Sequence, residues 1–310
     1  MGITKLEHVL ENLKKQEKKT IAVVVAEEQN ILSAVKKAVD ENLVNAILVG
    51  NKKKIIEVAD NIDFNLSTIE IIDEKDARKS AAIAVSLINE GKANVLVKGL
   101  ISSADYLKAI LNKETGILPP KTILSHVTIL EFPTYHKLLF VSDIAVIFQP
   151  NLPQKIAMTN YLIDICHKFR IEKPKVAMLN CSEKVALDYQ NSYDAAIITT
   201  MANRNQIKNA YIDGPMAIDL AVSKKSCLTK KFDSPVGGDA DAIVFGNIEA
   251  CNSFYKAGVY LANAKMSGII TGAKVPVVLT SRIPFPLCPF SLGLRMSLSR
   301  FIRKCSTTGC

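Results

Sequence analysis

The residues best suited to chemistry sit where apolar runs end. V-P-V-V-L, residues 275–279, closes on Thr280, Ser281 and Arg282. Arg282 presents a rigid fork of N–H donors, the shape that grips a phosphate or a carboxylate. A second group follows the run 94–97: Lys98 and Gly99, then Ser102 and Ser103 ahead of a helix beginning near residue 104. A glycine turn with open N–H groups at the positive end of a helix is an anion-binding turn, and Lys98 adds a mobile charge. A plain loop capped by Ser102 or Ser103 has the same local pattern. A third group is D-G-P-M-A-I-D at 213–219, in which Gly214 permits an unusual backbone angle and Pro215 can start a helix. Asp219 lies one turn beyond Pro215, so Asp213 and Asp219 read either as two carboxylates bordering one crevice or as a cap and a surface acid. Glu249, Asn252 and Lys256 recur along one face of the helix that follows Gly246 and Asn247. They form either a polar wall beside the strand ends or a solvent-facing stripe.

These groups need strands to deliver them. Residues 20–26 are β-branched and apolar on both faces, as in a central parallel strand, and residues 28–42 carry Ile31, Ala34, Val35 and Val39 at helical spacing. The alternation continues with a strand at 46–49, a helix at 53–59, a strand at 67–72, a helix at 77–88 and a strand at 94–97. It resumes with a helix at 156–169, a strand at 175–179 and a helix at 193–206. Repeated strand and helix predict a mainly parallel α/β sheet whose right-handed crossovers put the strand ends on one rim, where ligands bind. Between the two runs lie three extended segments, 123–131, 137–141 and 144–148, and Pro150 and Pro153 bracket a polar turn suited to a domain boundary. Residues 223–235 read as irregular.

Composition excludes several classes. The 310 residues are 48% apolar, with a net charge of +9 that accumulates late: no Asp or Glu follows Glu249, whereas eight Lys and Arg do. The remaining excess lies on helix faces and helix starts, which argues for an anionic small substrate over nucleic acid. The amphipathic, acid-containing segment from Met1 to Lys15 does not read as a signal or transit peptide, and Val275–Leu279 is far too short for a membrane span, so a soluble, cytoplasmic protein is expected. Seven cysteines without a C-x-x-C pair read as reduced thiols, and the four histidines have no metal-binding spacing. The absence of G-x-G-x-x-G after the first strand and of G-x-x-x-x-G-K-[ST] removes the strongest nicotinamide and nucleoside triphosphate signatures.

Several separated motifs in order resemble the phosphate acyltransferase family, most closely its phosphate butyryltransferase branch. They are V-K-G from Val97, S-H-V from Ser125, P-K-V-A from Pro174, M-A-N-R-N-Q-I from Met201 and D-G-P-M-A-I-D from Asp213. I-E-A-C-N-S-F-Y-K from Ile248 and G-A-K-V-P-V-V-L-T-S-R from Gly272 complete them. The resemblance implies an isocitrate/isopropylmalate dehydrogenase-like α/β fold with mainly parallel sheets: a first domain at 1–147, a second at 148–277, and a return to the first at 278–310. It implies reversible transfer of a short acyl group, butyryl by that branch, between coenzyme A and orthophosphate. No metal or tightly bound cofactor takes part, and a homodimer or larger homo-oligomer is implied. The family's serine-arginine pair falls on Ser281 and Arg282. Arg282 would hold the phosphoryl group and Ser281 would donate to the thioester carbonyl, with Asp219 or Asp213 taking the thiol proton. Lys98, Gly99 and Ser102 would face the phosphate, and Glu249, Asn252 and Lys256 would line an adenine or pantetheine arm.

Two departures accompany the resemblance. After Arg282 the family continues with A-D-S and a closing helix, whereas this chain has I-P-F-P-L-C-P-F and no further acid; Cys251 stands where the family has glycine. The altered terminus keeps a second reading open, a homologue that binds coenzyme A or acyl phosphate without turnover. A decarboxylating dehydrogenase of related fold would need clustered metal-binding aspartates and a cofactor loop, which the sequence lacks.

Overall fold

The computed structural model describes residues 3–13 and 17–279. After α1 (Glu7–Leu13), the chain alternates β1 (Lys19–Val24), α2 (Gln29–Asp40), β2 (Val44–Gly50), α3 (Lys52–Asp60), β3 (Glu70–Asp73), α4 (Ala77–Asn89), β4 (Val95–Lys98) and α5 (Ser103–Ile110). β5 (Ser125–Glu131) and β6 (Leu139–Ser142) form a hairpin. Then come α6 (Leu152–Lys168), β7 (Lys175–Leu179), α7 (Gln190–Asn203), β8 (Tyr211–Met216), α8 (Ile218–Val222), α9 (Lys224–Lys230), β9 (Ala242–Val244), α10 (Ile248–Leu261), β10 (Lys265–Thr271) and β11 (Val277–Val278).

Short polar side chains start the helices by accepting otherwise orphaned N–H groups. Asn51 accepts from Lys53 and Lys54, Asp76 from Arg78 and Lys79, Asn151 from Gln154, and Asn247 from Ala250. Two sequence expectations fail for the same reason. Residues 144–148 do not extend, because the Asp143 carboxylate accepts the N–H groups of Ala145 (2.7 Å) and Val146 (2.9 Å) and folds the segment into a turn. Within 223–235 a helix forms, because Ser223 caps it through the Ser226 N–H and Lys231 ends it in the left-handed region at φ 52°.

All eleven described strands join in one sheet of order β3-β2-β1-β4-β11-β10-β5-β6-β9-β7-β8. β1 to β4 and β11 run parallel, and β6, β9, β7 and β8 run parallel among themselves. Between these blocks the pairs β11–β10, β10–β5 and β5–β6 are antiparallel. Three reversals leave the blocks pointing in opposite directions. Pairing is mainly parallel as expected, seven of the ten strand pairs, but the expectation of all strand ends on one rim is corrected to a single mixed sheet with ends on both rims. The sequence alternation was sound within each block, but hairpin connections let strand direction reverse where no helix crosses over.

The two faces differ. On one, a single apolar cluster runs the whole width and packs α2, α3, α6 and α7. On the other it is divided: α4 and α5 cover Leu96, Leu124, Ile270 and Val277, whereas α8 and α10 cover Leu130, Val141, Ile243 and Met266. Under the continuous face lies a buried ion pair, Lys155 Nζ to Asp194 Oδ2 at 2.8 Å, which ties α6 to α7. Removing one partner strands the other charge, so Asp194→Ala should cost about 3–5 kcal/mol in urea unfolding. The double variant Asp194→Leu with Lys155→Met should recover most of that loss; a double variant no more stable than the single would show that the pair contributes by its charge.

Candidate active site

On the divided face, polar groups occupy the seam between the clusters. Along β5 alternate residues share a face, so Leu124 and Leu130, one in each cluster, flank His126 and Thr128. Opposite them on β10, Ile270 and Met266 flank Gly268, which pairs with Thr128. The His126 ring lies across this glycine: a Cβ there would fall 2.5 Å from His126 Cε1 and 3.1 Å from Nε2. Only a residue without a side chain accommodates the ring. Thr128 Oγ1 bonds His126 Nδ1 at 3.1 Å. Burial lowers the His126 pKa to about 4, with the Asp143 carboxylate partly opposing, so the ring is neutral at neutral pH.

The same seam is held by Asp143. Its Oδ2 accepts from Ser125 Oγ (3.0 Å) and the His126 N–H (2.8 Å), and its Oδ1 shapes the following turn. Ser125 and Ser142 are joined through their hydroxyls at 2.9 Å. Asn252 Nδ2 donates to Ile144 O at 3.0 Å, so this predicted side chain anchors α10 to the turn after Asp143. Glu249 and Lys256 stand exposed on the same helix, and Cys251 packs into its apolar side, where burial pushes its thiol well up.

Lys98 and Gly99 sit at the end of β4. Gly99 is pressed against β1, since a Cβ would meet Val25 O at 2.3 Å, and Lys98 Nζ bonds Gly99 O at 3.3 Å. Ser102 caps α5 through the Asp105 N–H and also donates to the Asp105 carboxylate at 2.8 Å. The cross-strand register connects this turn to the seam. Lys98 lies one residue past the Val97–Val278 pair, and at that level two strands further on is Gly268, followed by Thr128, Val141, Ile243, Ala177 and Asp213.

That register brings some predicted residues together and separates others. Lys98 and the seam at Gly268 are two strand spacings apart, roughly 10 Å, whereas Asp213 is seven away, roughly 34 Å along the sheet. Asp213 Oδ1 instead accepts the N–H of Gly214 at 2.8 Å. Asp219, in the first turn of α8, pairs with Lys230 Nζ at 3.1 Å, and Lys230 also meets Glu183 at 3.2 Å. The bond to Asp219, then that to Glu183, raises the pKa of the lysine. Ser281 and Arg282, and the altered segment 283–310, lie outside the described residues.

Sequence reasoning met His126 only within the S-H-V motif and gave it no role, and it passed over Thr128, Gly268 and Asp143; the one local signal was polar residues in a β-branched run, S-H-V-T. It also passed over Asn180 after β7, whose Oδ1 is sealed from solvent and has no hydrogen-bond partner. A pocket of about 250 Å³ lined by Ile3, Lys137, Arg170 and Asp241 contains none of the predicted residues. Among the described residues no three His, Cys, Asp or Glu are grouped to hold a metal ion, and no helix is long and apolar enough to cross a membrane.

The expected anion-binding turn is corrected: the N–H groups of Gly99, Leu100 and Ile101 are donated to Val24 O, Val25 O and Gly99 O, so Lys98 and the buried neutral imidazole two strand spacings away are what this face offers a ligand. The class this defines is broad, an α/β protein with a cationic strand end. Comparison with known proteins narrows it. The model of the phosphate acetyl/butaryl transferase family matches residues 5–83 and 74–283, and the chain belongs to this family. It is 38% identical over 276 residues to the phosphate butyryltransferase of Clostridium beijerinckii, covering 89% of this chain and 91% of that protein. A branched-chain phosphotransacylase from Enterococcus faecalis superposes with a TM-score of 0.80 at 28% identity, covering 90% of this chain and 99% of that one. A phosphotransacetylase from Streptococcus pyogenes, at 20% identity and covering 96% and 98% of the two chains, shares the fold with a TM-score of 0.79. These structures overturn the dehydrogenase-like assignment: the fold is that of the phosphotransacylases. The chain is a phosphate acyltransferase, and its reaction is reversible transfer of an acyl group between coenzyme A and phosphate.

The neutral His126 ring links stability to pH. Its folded pKa lies below the ordinary 6.5, so the unfolded chain binds the extra proton as the pH falls. The contribution is complete above 6.5 and is lost toward about 4, amounting to about 3 kcal/mol over that window. The urea midpoint of the parent should therefore fall more steeply between pH 6.5 and 4.5 than that of His126→Gln; equal slopes would refute the assignment.

Proposed function

We propose that the acyl group is butyryl or of similar size, and that transfer takes place between the turn at Lys98 and the seam at His126. The observation that carries this reading is the register: Leu279, which directly precedes Thr280, Ser281 and Arg282, leaves β11 beside Lys98 and two strands from the imidazole. The family match runs through Arg282 and ends at residue 283. In this reading Arg282 and Lys98 hold the phosphoryl oxygens, and Ser281 donates to the acyl oxygen. Glu249, Asn252 and Lys256 on α10 line the coenzyme A arm.

Asp219 is the proposed acceptor of the thiol proton in preference to Asp213. It stands on a helix packed into the α8/α10 cluster, whereas Asp213 occupies the outermost strand. The butyryl choice is supported by the Clostridium beijerinckii enzyme's name and its 38% identity. The proposal includes the division at residues 147 and 277, a cytoplasmic location and a homo-oligomeric assembly.

Thiol release from butyryl- and acetyl-coenzyme A, with and without orthophosphate, tests it. Release should require phosphate, with kcat/KM about tenfold or more in favour of butyryl; equal values would remove the chain-length assignment. Arg282→Ala should raise the KM for phosphate by about 100-fold and leave that for coenzyme A within about threefold. A uniform loss on both substrates would take Arg282 off the phosphate.

A further inference from the structure

We infer that His126 is a further catalytic residue, its Nε2–H donating a hydrogen bond to the oxygen of the acyl group in flight. The inference rests on the acyl-transfer reading above and adds to it a group from the sheet itself.

Three observations converge. First, the position: His126 and Thr128 are the polar residues of β5 on the face where the apolar layer divides, between Leu124 of one cluster and Leu130 of the other. A polar pair in the middle of a central strand gives up apolar contact that Val or Ile would provide there. Second, the direction: the Cε1–Nε2 edge lies over Gly268 on β10, which is the side of β5 toward β11 and β4. The ring thus reaches toward the strand that ends in Lys98, whose side chain shares this face with Leu96. Third, the tautomer: Thr128 is fully buried, and His126 Nδ1 is the partner of its hydroxyl. A buried hydroxyl proton left without an acceptor is costly, so it is placed on Nδ1, and the single proton of the neutral ring sits on Nε2.

A neutral imidazole in this setting polarises an oxygen without exchanging a proton. In the direction of acyl-coenzyme A synthesis, the thiol sulfur attacks the acyl carbon of the acyl phosphate and a carbon–sulfur bond forms. The carbonyl electron pair moves onto its oxygen, which accepts the Nε2–H. The oxygen's pair then re-forms the carbonyl as the carbon–oxygen bond to phosphate breaks, phosphate leaves with the bonding pair, and the thiol proton passes to the acceptor carboxylate. Histidine enters and leaves neutral. Thr128 is a positioning residue that acts through the tautomer.

His126→Leu removes the donor, and His126→Gln keeps an N–H of similar reach. With butyryl phosphate and coenzyme A, the Leu variant should lose about 100-fold or more in kcat, with the KM for acyl phosphate within about threefold, and the Gln variant should recover about tenfold of that loss. Parent-like kcat in the Leu variant overturns the inference, as does an equal loss in both variants when both are folded. A second arm is independent of turnover: ¹⁵N-histidine NMR of the parent, with the His126 signal assigned by its absence in the Gln variant. The Nε2–H tautomer is expected at pH 7, with its resonance shifting on addition of butyryl-coenzyme A, and Thr128→Val should mix the two tautomers. An Nδ1–H tautomer in the parent, or no shift at saturating butyryl-coenzyme A, overturns it. If His126→Leu does not fold, the Gln and Val variants with the NMR decide. A parent that releases no thiol with phosphate defeats the acyl-transfer reading alone, and the tautomer measurement still judges His126.

Discussion

The Asp143 carboxylate is buried where the end of β6 meets the start of β5, and the organisation of the seam hangs on it. Taking a carboxylate out of water costs several kcal/mol unless donors replace the lost solvent. Here they do: the Ser125 hydroxyl and the backbone N–H groups of His126, Ala145 and Val146 converge on its two oxygens. One side chain thereby stops β6, bends the chain toward α6, orders the start of β5 and fixes the backbone that carries the imidazole. The turn it makes also offers Ile144 O to Asn252, so α10 is docked through the same group.

From that point the sheet runs in opposite directions to either side. The reversal explains why one face bears a continuous apolar layer while the other is split. Helices that follow β4 and helices that follow β8 and β9 arrive from opposite rims, one set covering Leu124 and Ile270 and the other Leu130 and Met266, with His126 and Thr128 buried between them. A seam in the packing is the consequence, and polar side chains survive in it because they pair with one another. Such a place has a low dielectric, apolar clusters on either side and fixed dipoles, the conditions under which a hydrogen bond to a reacting group counts most.

How far the sequence could be read depended on whether the signal was local. Periodicity found β1 to β4 and their helices within a few residues, because alternation and amphipathic spacing are properties of short windows. The same windows misread 144–148 as extended and 223–235 as irregular, where the side chains of an aspartate at 143 and a serine at 223 redirected the backbone by accepting its N–H groups. Lys98 and Gly99 read locally as an anion-binding turn with open N–H groups, whereas the fold presses Gly99 against Val25 O and donates the N–H groups of Gly99 and Leu100 to Val24 O and Val25 O, contacts that no local window contains. The pairing of Asp213 with the anion end was not legible: strand order, which counts seven spacings between them, is not written in any window.

By itself, then, the sequence determined the element types, the absence of nucleotide-binding glycine motifs, and the motif order that points to phosphate acyltransferases. These follow from local propensity and from residue identity in sequence order. Only the tertiary structure decided that the strands form one mixed sheet, that Lys98 and His126 face a common seam while Asp213 stands at the far edge, and that the histidine is neutral. Those outcomes depend on cross-strand register and burial, which arise from contacts between segments far apart in the chain and so leave no periodic trace along it.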